Sequence, residues 1–257
     1  MKAVILAGGM GTRISEETVM KPKPMVEIGG MPIIWHIMKT YAKYGVKEFI
    51  ICCGYKGQMI KDFFLKYCVN SADLTFNLES KDIEYIRRDP VDWKVTLANT
   101  GLKTLTAGRV LKIRDYIGDD EEFMLTYGDG VSDIDINALL DFHHSHDTLG
   151  TITVTQPTGR FGTVAIEDDT GRILSFKEKS RGDSPWVNMG FMVFNSKVFD
   201  YLGDGSEMLE SGPFVRLAAD GQLSAYRHDG FWSPMDTVHD RQYLEGLWKS
   251  GNAPWKV

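Results

Sequence analysis

A group of residues suited to binding phosphate stands near the beginning of the chain. An apolar run, Ala3 to Leu6, leads into the turn Gly8-Gly9-Met10-Gly11-Thr12-Arg13, and Lys23 follows with a proline on either side. Glycines let a backbone turn sharply and direct its N–H groups at anionic oxygens. Arg13 offers a planar donor fork that matches phosphate, and the prolines stiffen the chain around Lys23. These residue types predict an anion-binding turn, although a simple tight turn after a strand is the plainer interpretation.

Two familiar phosphate-binding motifs do not fit this turn. A Walker loop requires G-x-x-x-x-G-K-[ST], and no Lys-Ser or Lys-Thr pair follows these glycines at that spacing. A dinucleotide-binding turn requires G-x-G-x-x-G, and Ile14 stands where its third glycine should be. The turn therefore indicates a phosphate site of another kind.

Carboxylates and hydroxyls elsewhere in the chain could complete such a site. Asp129 lies between two glycines directly after a buried strand-like run, where open α/β sheets bind ligands and where a metal and a phosphate would have room. A glycine turn closed by the aspartate itself is the other interpretation. Thr106 and Arg109 precede a helix that we expect at about 110–116, and could surround a base or ribose or could cap that helix. Asp236 adds a carboxylate in an irregular segment, residues 230–237.

The elements that must position these residues alternate along the chain. Buried strands are predicted at 3–6, 48–53 and 122–127, with helices at about 33–41 and 57–67 between them. That order is typical of a parallel sheet with helices on both faces. The turn Asp168-Asp169-Thr170-Gly171 separates two strand-like runs and predicts a hairpin. We find no linker, so we expect a single domain over residues 1–257.

Composition narrows the class of protein. The 257 residues carry a formal net charge of −6, which argues against a nucleic-acid or anionic-membrane partner. No apolar run approaches the roughly 20 residues of a membrane span, and no secretion signal precedes the first strand. Three cysteines, an odd and sparse number, suggest reduced thiols. We therefore expect a cytoplasmic protein.

The glycine turn with Arg13, together with Lys23, resembles the opening of the sugar nucleotidyltransferases (nucleotide-sugar pyrophosphorylases), which carry G-G-x-G-T-R-L and then a K-P-K-P-type segment. Ile14 replaces the leucine. The resemblance covers nearly the whole chain. It implies a Rossmann-like three-layer α/β/α fold with a mixed, mostly parallel central sheet and small β additions. It also implies attack of a sugar 1-phosphate on the α-phosphate of a nucleoside triphosphate, with release of pyrophosphate.

The resemblance also implies a role for each group of candidate residues. In this family an aspartate of a G-D segment and a late aspartate hold Mg²⁺, which here are Asp129 and Asp236. An E-K-P segment and an N-x-G segment contact the sugar phosphate in this family. The corresponding residues here are Glu178, Lys179 and Asn188, and Ser180 stands in place of the proline. The catalytic charges would be Arg13 and Lys23. The nucleotide would be bound by Leu6, Ala7, Gly8, Gly9, Met10, Gly11, Thr12, Arg13, Lys23, Thr106, Arg109, Gly128 and Asp129.

The implied reaction requires charge neutralisation rather than a base. A phosphate monoester has a second pKa of about 6, so it is already largely ionised near neutrality. Such chemistry needs no general base, so no Ser–His or His–Asp catalytic arrangement is expected. What the site must do is hold two anionic groups in line and offset their charge.

Three segments look like the branch of the family that uses CTP and glucose 1-phosphate to make CDP-glucose, a precursor of O-antigen dideoxysugars. They are Thr126 to Gly130, Gly230 to Thr237, and Thr100-Gly101 followed by Thr106 to Arg109. No residue separates cytosine from uracil on physical grounds, so UTP and dTTP remain alternatives. Family members commonly self-associate, and the polar stretch 87–99 is a candidate contact in a homo-oligomer.

Three other classes of function are alternatives to this one. Asp133-Ile134-Asp135 is a D-x-D, which metal-dependent glycosyltransferases use, but such an enzyme would not explain the glycine turn and Lys23. His143, His144, His146 and Asp147 could bind a metal, although histidines are also favoured at the end of a helix. A non-catalytic nucleotide-sugar-binding module is the third alternative, and the presence of both Asp129 and Asp236 argues against it.

Overall fold

The computed structural model describes residues 1–9, 21–88, 91–157, 163–166, 173–177 and 185–257. Fifteen strands lie in these ranges: β1 Lys2–Ala7, β2 Glu27–Ile28, β3 Met31–Pro32, β4 Glu48–Cys53, β5 Ala72–Asn77, β6 Asp82–Arg88, β7 Lys94–Asn99, β8 Glu122–Tyr127, β9 Gly130–Ser132, β10 Gly150–Thr155, β11 Thr163–Ile166, β12 Ile173–Lys177, β13 Val187–Asn195, β14 Leu223–Arg227 and β15 Trp232–Pro234. The helices are α1 Ile33–Lys43, α2 Gly57–Asn70, α3 Thr106–Leu111, α4 Arg114–Ile117, α5 Ile136–His144, α6 Pro213–Ala219 and α7 Val238–Lys249, with 3₁₀ helices at Lys23–Met25 and Ser196–Tyr201.

Seven strands form the central sheet, in the order β14-β10-β13-β8-β1-β4-β7. All neighbours are parallel except β13, which runs antiparallel to both β8 and β10. The mixed, mostly parallel sheet predicted from the resemblance is confirmed. In β1, Leu6 pairs with Cys52 of β4 and with Tyr127 of β8, so the segments that follow these strands meet at one edge.

Alternate residues of β1 face opposite sides of the sheet, and each side has its own apolar core. Ala3, Ile5 and Ala7 pack with apolar residues of α1, α5 and α7. Val4 and Leu6 pack on the other side with α3, α4, α6 and the second 3₁₀ helix. Since both faces are covered, the central strands are apolar without alternation, which is the pattern that predicted them.

Four two-stranded additions accompany the sheet: β2–β3, β5–β6, β9–β15 and β11–β12. The predicted hairpin is present as the antiparallel pair β11–β12, and its turn lies outside the described residues. The pair β9–β15 matters most for function, because it joins residues about one hundred positions apart and brings Asp236 toward Asp129.

The helix expected at about 110–116 is wrong in its bounds. The chain instead forms α3, which begins at Thr106, and the short α4. Gly108 is an unfavourable residue within a helix, yet it is required here because a Cβ on it would lie 2.5 Å from the backbone oxygen of Gly205. A tertiary contact therefore overrides the local preference. None of the helices among the described residues has the length and apolar character needed to cross a bilayer.

Candidate active site

A cavity of about 460 Å³ opens at the edge of the sheet where β1 and β8 end. Its position is the one that open α/β sheets use for ligands. The residues that line it come from distant parts of the chain: Leu6, Ala7, Gly8, Gly9, Lys23, Pro24, Leu102, Lys103, Thr104, Leu105, Thr106, Arg109, Tyr127, Gly128, Asp129, Met208, Glu210 and Asp236. The described candidates from both the nucleotide and the metal sets therefore meet in one place.

Lys23 carries the positive charge at the centre of this arrangement. Its ammonium nitrogen lies 2.5 Å from Oδ1 of Asp236 and 3.3 Å from Oδ2 of Asp129, and the side chain is only 11% exposed. The 3₁₀ turn that presents it is closed by a hydrogen bond from the backbone N–H of Met25 to the carbonyl of Pro22. Lys23 is therefore held by rigid backbone in direct contact with both carboxylates.

Gly128 allows that close approach. A Cβ at this position would lie 3.0 Å from the ring of Pro24 and 3.1 Å from the carbonyl oxygen of Leu6. The backbone N–H of Gly128 donates to that same carbonyl over 3.0 Å. The glycine after β8 thus lets the proline next to Lys23 pack against the ends of β1 and β8.

Asp129 and Asp236 are brought together by the pairing of β9 with β15. The backbone N–H of Met235 donates to the carbonyl of Asp129 over 2.8 Å. Both carboxylates contact the one ammonium group of Lys23, so they already converge on a position that a cation occupies. Two carboxylates beside a substrate-sized cavity match the usual protein contribution to a Mg²⁺ site, in which substrate phosphates supply other ligands.

The first turn of α7 fixes the backbone at Asp236. The side chain of Asp240 accepts from the backbone N–H groups of Asp236 over 3.0 Å and Thr237 over 2.8 Å, and Thr237 caps the helix in return. This reciprocal arrangement is a capping box. Sequence reasoning missed it, although Thr237 followed three residues later by Asp240 was a visible signal.

Arg109 lines the cavity and also holds the Gly8 turn in shape. Its guanidinium donates to the carbonyl of Gly8 over 2.9 Å, to the hydroxyl of Thr100 over 2.6 Å and to the carbonyl of Gly101 over 2.9 Å. The side chain is buried. A Cβ on Gly54 would lie 2.6 Å from both this guanidinium and the Gly8 oxygen, so the packing leaves no room for a larger residue. At least part of the role of Arg109 is therefore to shape the predicted nucleotide-binding turn.

Several lining residues were not predicted as site residues, among them Tyr127, Met208 and Glu210. Tyr127 is the last residue of β8, and Met208 and Glu210 come from the segment before α6. The Tyr127 hydroxyl donates to Glu210. Tyr127 directly precedes the Gly128-Asp129 motif and could have been suspected from it. Met208 and Glu210 carry no sequence signal, because only the fold brings their segment to α3.

Several predicted residues cannot be placed in the cavity. Met10, Gly11, Thr12, Arg13, Glu178 and Lys179 lie outside the described residues. Asn188 stands at the beginning of β13, where its side-chain oxygen accepts from the backbone N–H of Gly190 over 2.8 Å. It shapes the N-x-G turn and is not among the described residues that line the cavity.

Comparison with known proteins identifies the family. The model of the nucleotidyl transferase family matches residues 2–240. The chain belongs to the nucleotidyl transferase family. The resemblance to sugar nucleotidyltransferases inferred from the glycine turn and Lys23 is thereby confirmed.

Two relatives of this nucleotidyltransferase are enzymes of nearly the same length. Glucose-1-phosphate cytidylyltransferase of Salmonella typhi is 51% identical over 257 residues, covering 100% of this chain and 99% of the relative. The enzyme of that name from Salmonella typhimurium is also 51% identical, with the same coverage. Among solved structures, HddC from Yersinia pseudotuberculosis superposes with a TM-score of 0.65 at 22% identity, covering 96% of this chain and 99% of that one. The likeness to the solved structure supports the α/β fold.

Both aspartates of the D-x-D segment, Asp133 and Asp135, make structural hydrogen bonds within this nucleotidyltransferase. Asp133 accepts from the backbone N–H of Phe231 over 2.7 Å and contacts His228 over 3.0 Å. Asp135 caps α5 by accepting from the backbone N–H of Ala138. These contacts account for both carboxylates without a nucleotide sugar, and the family match separates the chain from the glycosyltransferase alternative.

The histidines at the end of α5 also have local partners. A ring nitrogen of His143 lies 2.8 Å from the Thr151 hydroxyl, and His144 lies 2.8 Å from a carboxylate oxygen of Glu122. Within the described ranges, no three His, Cys, Asp or Glu side chains are grouped to hold a metal. These histidines therefore fasten α5 to the sheet.

Proposed function

We propose that this nucleotidyltransferase transfers a cytidylyl group from CTP to glucose 1-phosphate, giving CDP-glucose and pyrophosphate. The observation that carries the substrate assignment is the 51% identity, over the full length of both chains, to glucose-1-phosphate cytidylyltransferase of Salmonella typhi. The cavity supports the reaction type, because it combines a rigidly held lysine, two converging carboxylates and a glycine turn.

The proposed reaction is a direct displacement at the α-phosphate of CTP. An oxygen of the glucose 1-phosphate forms the new bond to that phosphorus while the bond to the departing pyrophosphate breaks. Because the attacking monoester is already ionised near neutrality, no proton has to be removed. The protein must instead hold the two anionic substrates in line and offset their charge.

Each charged candidate has a place in that scheme. Lys23 lies at the cavity wall beside both aspartates and would move toward the triphosphate when it enters. Arg13, at the end of the glycine turn, would stabilise the departing pyrophosphate. Glu178, Lys179 and Asn188 would hold the glucose phosphate. The backbone of Leu6 to Gly9, with Thr106, Arg109 and Gly128, would enclose the nucleoside.

We assign Asp129 and Asp236 as the residues that hold Mg²⁺. When bound there, the ion would neutralise charge on the phosphate oxygens of the substrates. The support is the convergence of both carboxylates on the ammonium of Lys23, which marks a position suited to a cation between the cavity and the β9–β15 pair.

We further propose that the protein self-associates in the cytoplasm. The hairpin β5–β6 lies outside the central sheet and exposes apolar side chains: Leu78, in its turn, is 87% exposed, Phe76 on β5 is 55% exposed, and Phe76 stands directly opposite the exposed Ile83. Exposed apolar side chains grouped in this way are typical of a protein–protein contact. All three cysteines are free thiols, which suits a reducing compartment.

The decisive experiment measures pyrophosphate release with glucose 1-phosphate and CTP, UTP, dTTP, ATP or GTP in turn, with and without Mg²⁺. We expect CTP to be used at least tenfold more efficiently than any other triphosphate, and no release without a divalent metal. A clear preference for UTP or dTTP would move the protein to another branch of the same family.

A further inference from the structure

The cavity contains a carboxylate that the phosphate chemistry does not explain. Glu210 lines the cavity, and its printed partners are hydroxyl groups rather than cations. One of its oxygens accepts from the Tyr127 hydroxyl, and the other lies 3.4 Å from the Thr106 hydroxyl. A carboxylate would repel both the triphosphate and the sugar phosphate. Glu210 must therefore face an uncharged part of a substrate.

The segment that carries Glu210 is docked firmly against α3. The backbone N–H of Leu209 donates to the Thr106 hydroxyl over 2.8 Å, and the N–H of Ala107 donates to the carbonyl of Glu207 over 3.2 Å. Leu209 itself is buried. The position of Glu210 is thus set by the core on this side of the sheet, as a selective contact requires.

Tyr127 keeps the carboxylate oriented. The Tyr127 hydroxyl donates to one carboxylate oxygen of Glu210, and a phenol is an O–H donor at neutral pH. The ring of Tyr127 packs against Gly190, where a Cβ would lie 2.5 Å from the ring. Glycine also suits the left-handed backbone at this position (φ +86°). Tyr127 therefore connects Glu210 with the turn that begins at Asn188.

We propose that Glu210, oriented by Tyr127, is a specificity-determining residue that accepts hydrogen bonds from the hydroxyl groups of a substrate sugar ring, in the glucosyl unit or in the ribose. An ionised carboxylate has about four acceptor positions and no donor. The Tyr127 hydroxyl occupies one acceptor position on one oxygen of Glu210, and the Thr106 hydroxyl lies near the other oxygen. The remaining acceptor positions of Glu210 are available at the cavity. A sugar hydroxyl is the uncharged donor that both proposed substrates carry. This inference rests on the proposed function.

The test compares the wild-type protein with Glu210→Gln and Tyr127→Phe, and with Glu207→Gln as a matched control. Glu207 lies on the same segment but pairs with Arg216, away from the described cavity lining. The measurements are KM for CTP and KM for glucose 1-phosphate. We expect Glu210→Gln to raise one of these KM values about tenfold to hundredfold, the range for a hydrogen bond to a charged group, and to leave the other within threefold. Tyr127→Phe should move the same KM, and Glu207→Gln neither.

Deoxy analogues identify the hydroxyl. The 2′- and 3′-deoxy forms of CTP and the 2-, 3-, 4- and 6-deoxy forms of glucose 1-phosphate are each compared in wild type and Glu210→Gln. For the analogue that lacks the bound hydroxyl, the two proteins should have equal KM values, which places Glu210 at the ribose or at the glucosyl unit.

Two results would overturn the inference, and they differ from failure of the proposed function. If the wild type releases pyrophosphate from CTP and Glu210→Gln keeps both KM values within twofold, Glu210 does not bind substrate. If Glu210→Gln raises a KM equally for every analogue, its effect is structural. If the wild type releases no pyrophosphate from any of the five triphosphates with glucose 1-phosphate, the proposed function itself is wrong.

Discussion

Lys23 is the residue on which the charge balance of the cavity depends. Without nucleotide, its ammonium group contacts both Asp129 and Asp236 and offsets part of their negative charge. In the proposed reaction the same group would contact the phosphates of the triphosphate, and the two carboxylates would hold a divalent cation instead. The side chain therefore acts in both states of the site, and substitution should affect each in a different way.

Replacing Lys23 by Met should lower kcat about 10²–10³-fold, because charge stabilisation of the transition state is lost. Without metal, Lys23→Met should also melt at a lower temperature than wild type, since two carboxylates then repel each other. Addition of millimolar Mg²⁺ without nucleotide should raise its melting temperature more than that of wild type. Steady-state kinetics and thermal unfolding measure these effects.

Lys21→Met is the matched control for that substitution. Lys21 is two residues away, is half exposed and pairs with Glu27 outside the cavity. It should retain wild-type kcat and show no additional response to Mg²⁺. Equal kcat values and equal responses to Mg²⁺ in Lys23→Met and Lys21→Met would show that Lys23 has no catalytic role.

At the scale of elements, the beginning of α7 and the pair β9–β15 determine where Asp236 lies. The capping box places two backbone N–H groups on the carboxylate of Asp240, one of them from Asp236 itself. The cap therefore stabilises the helix and also orients a proposed metal ligand.

Asp240→Ala should destabilise the protein by about 1–2 kcal/mol, as loss of a helix cap does, and should also lower kcat at least tenfold. Asp135→Ala is the control. The side chain of Asp135 caps α5 by accepting from the backbone N–H of Ala138, so this variant also loses a helix cap. That variant should lose similar stability with little change in kcat. Chemical denaturation and steady-state kinetics give both quantities, and equal kcat values in the two variants would contradict a positioning role for α7.

At the scale of the whole molecule, two buried histidines on the same side of the sheet link stability to pH. Burial lowers the pKa of His36, which is on α1 and contacts the carbonyl of Ile28 in β2, and of His143 on α5. In the unfolded chain these groups take up a proton near pH 6.5. Because the unfolded state then binds more protons than the folded state, stability is full above that pH and falls below it.

The free energy of unfolding should therefore decrease between pH 6.5 and pH 5, with a slope of up to about 1.4 kcal/mol per pH unit for each histidine. His36→Gln should reduce the slope, since glutamine keeps a donor for the carbonyl of Ile28 but does not titrate. Urea denaturation at several pH values tests this. An unchanged slope in His36→Gln would show that His36 is not responsible.

Self-association is the other property of the whole molecule. Leu78→Asp on the β5–β6 hairpin should reduce the molar mass measured by light scattering, because a charge would be buried in the proposed contact. Val215→Asp, at another exposed apolar position on α6, should leave it unchanged. A wild-type protein that is already monomeric would end this proposal.

The amino-acid sequence by itself predicted the order of the central strands and helices and, through its resemblance to the sugar nucleotidyltransferases, the reaction class. Buried strands such as Ala3 to Leu6 are apolar on both faces, and the glycine turn, Lys23, Asp129 and Asp236 have residue types with a narrow chemical use. These signals are local, so they can be recognised without coordinates. The alternation of strands and helices likewise predicted the parallel part of the sheet.

Only the tertiary structure decided how distant residues combine. The contact of Lys23 with both aspartates depends on the pairing of β9 with β15, and the position of Glu210 depends on Gly108 lying against Gly205. The start of α3 at Thr106 was missed for the same reason. Such contacts join residues roughly one hundred to two hundred positions apart, and their energies come from packing and pairing that no local sequence pattern records.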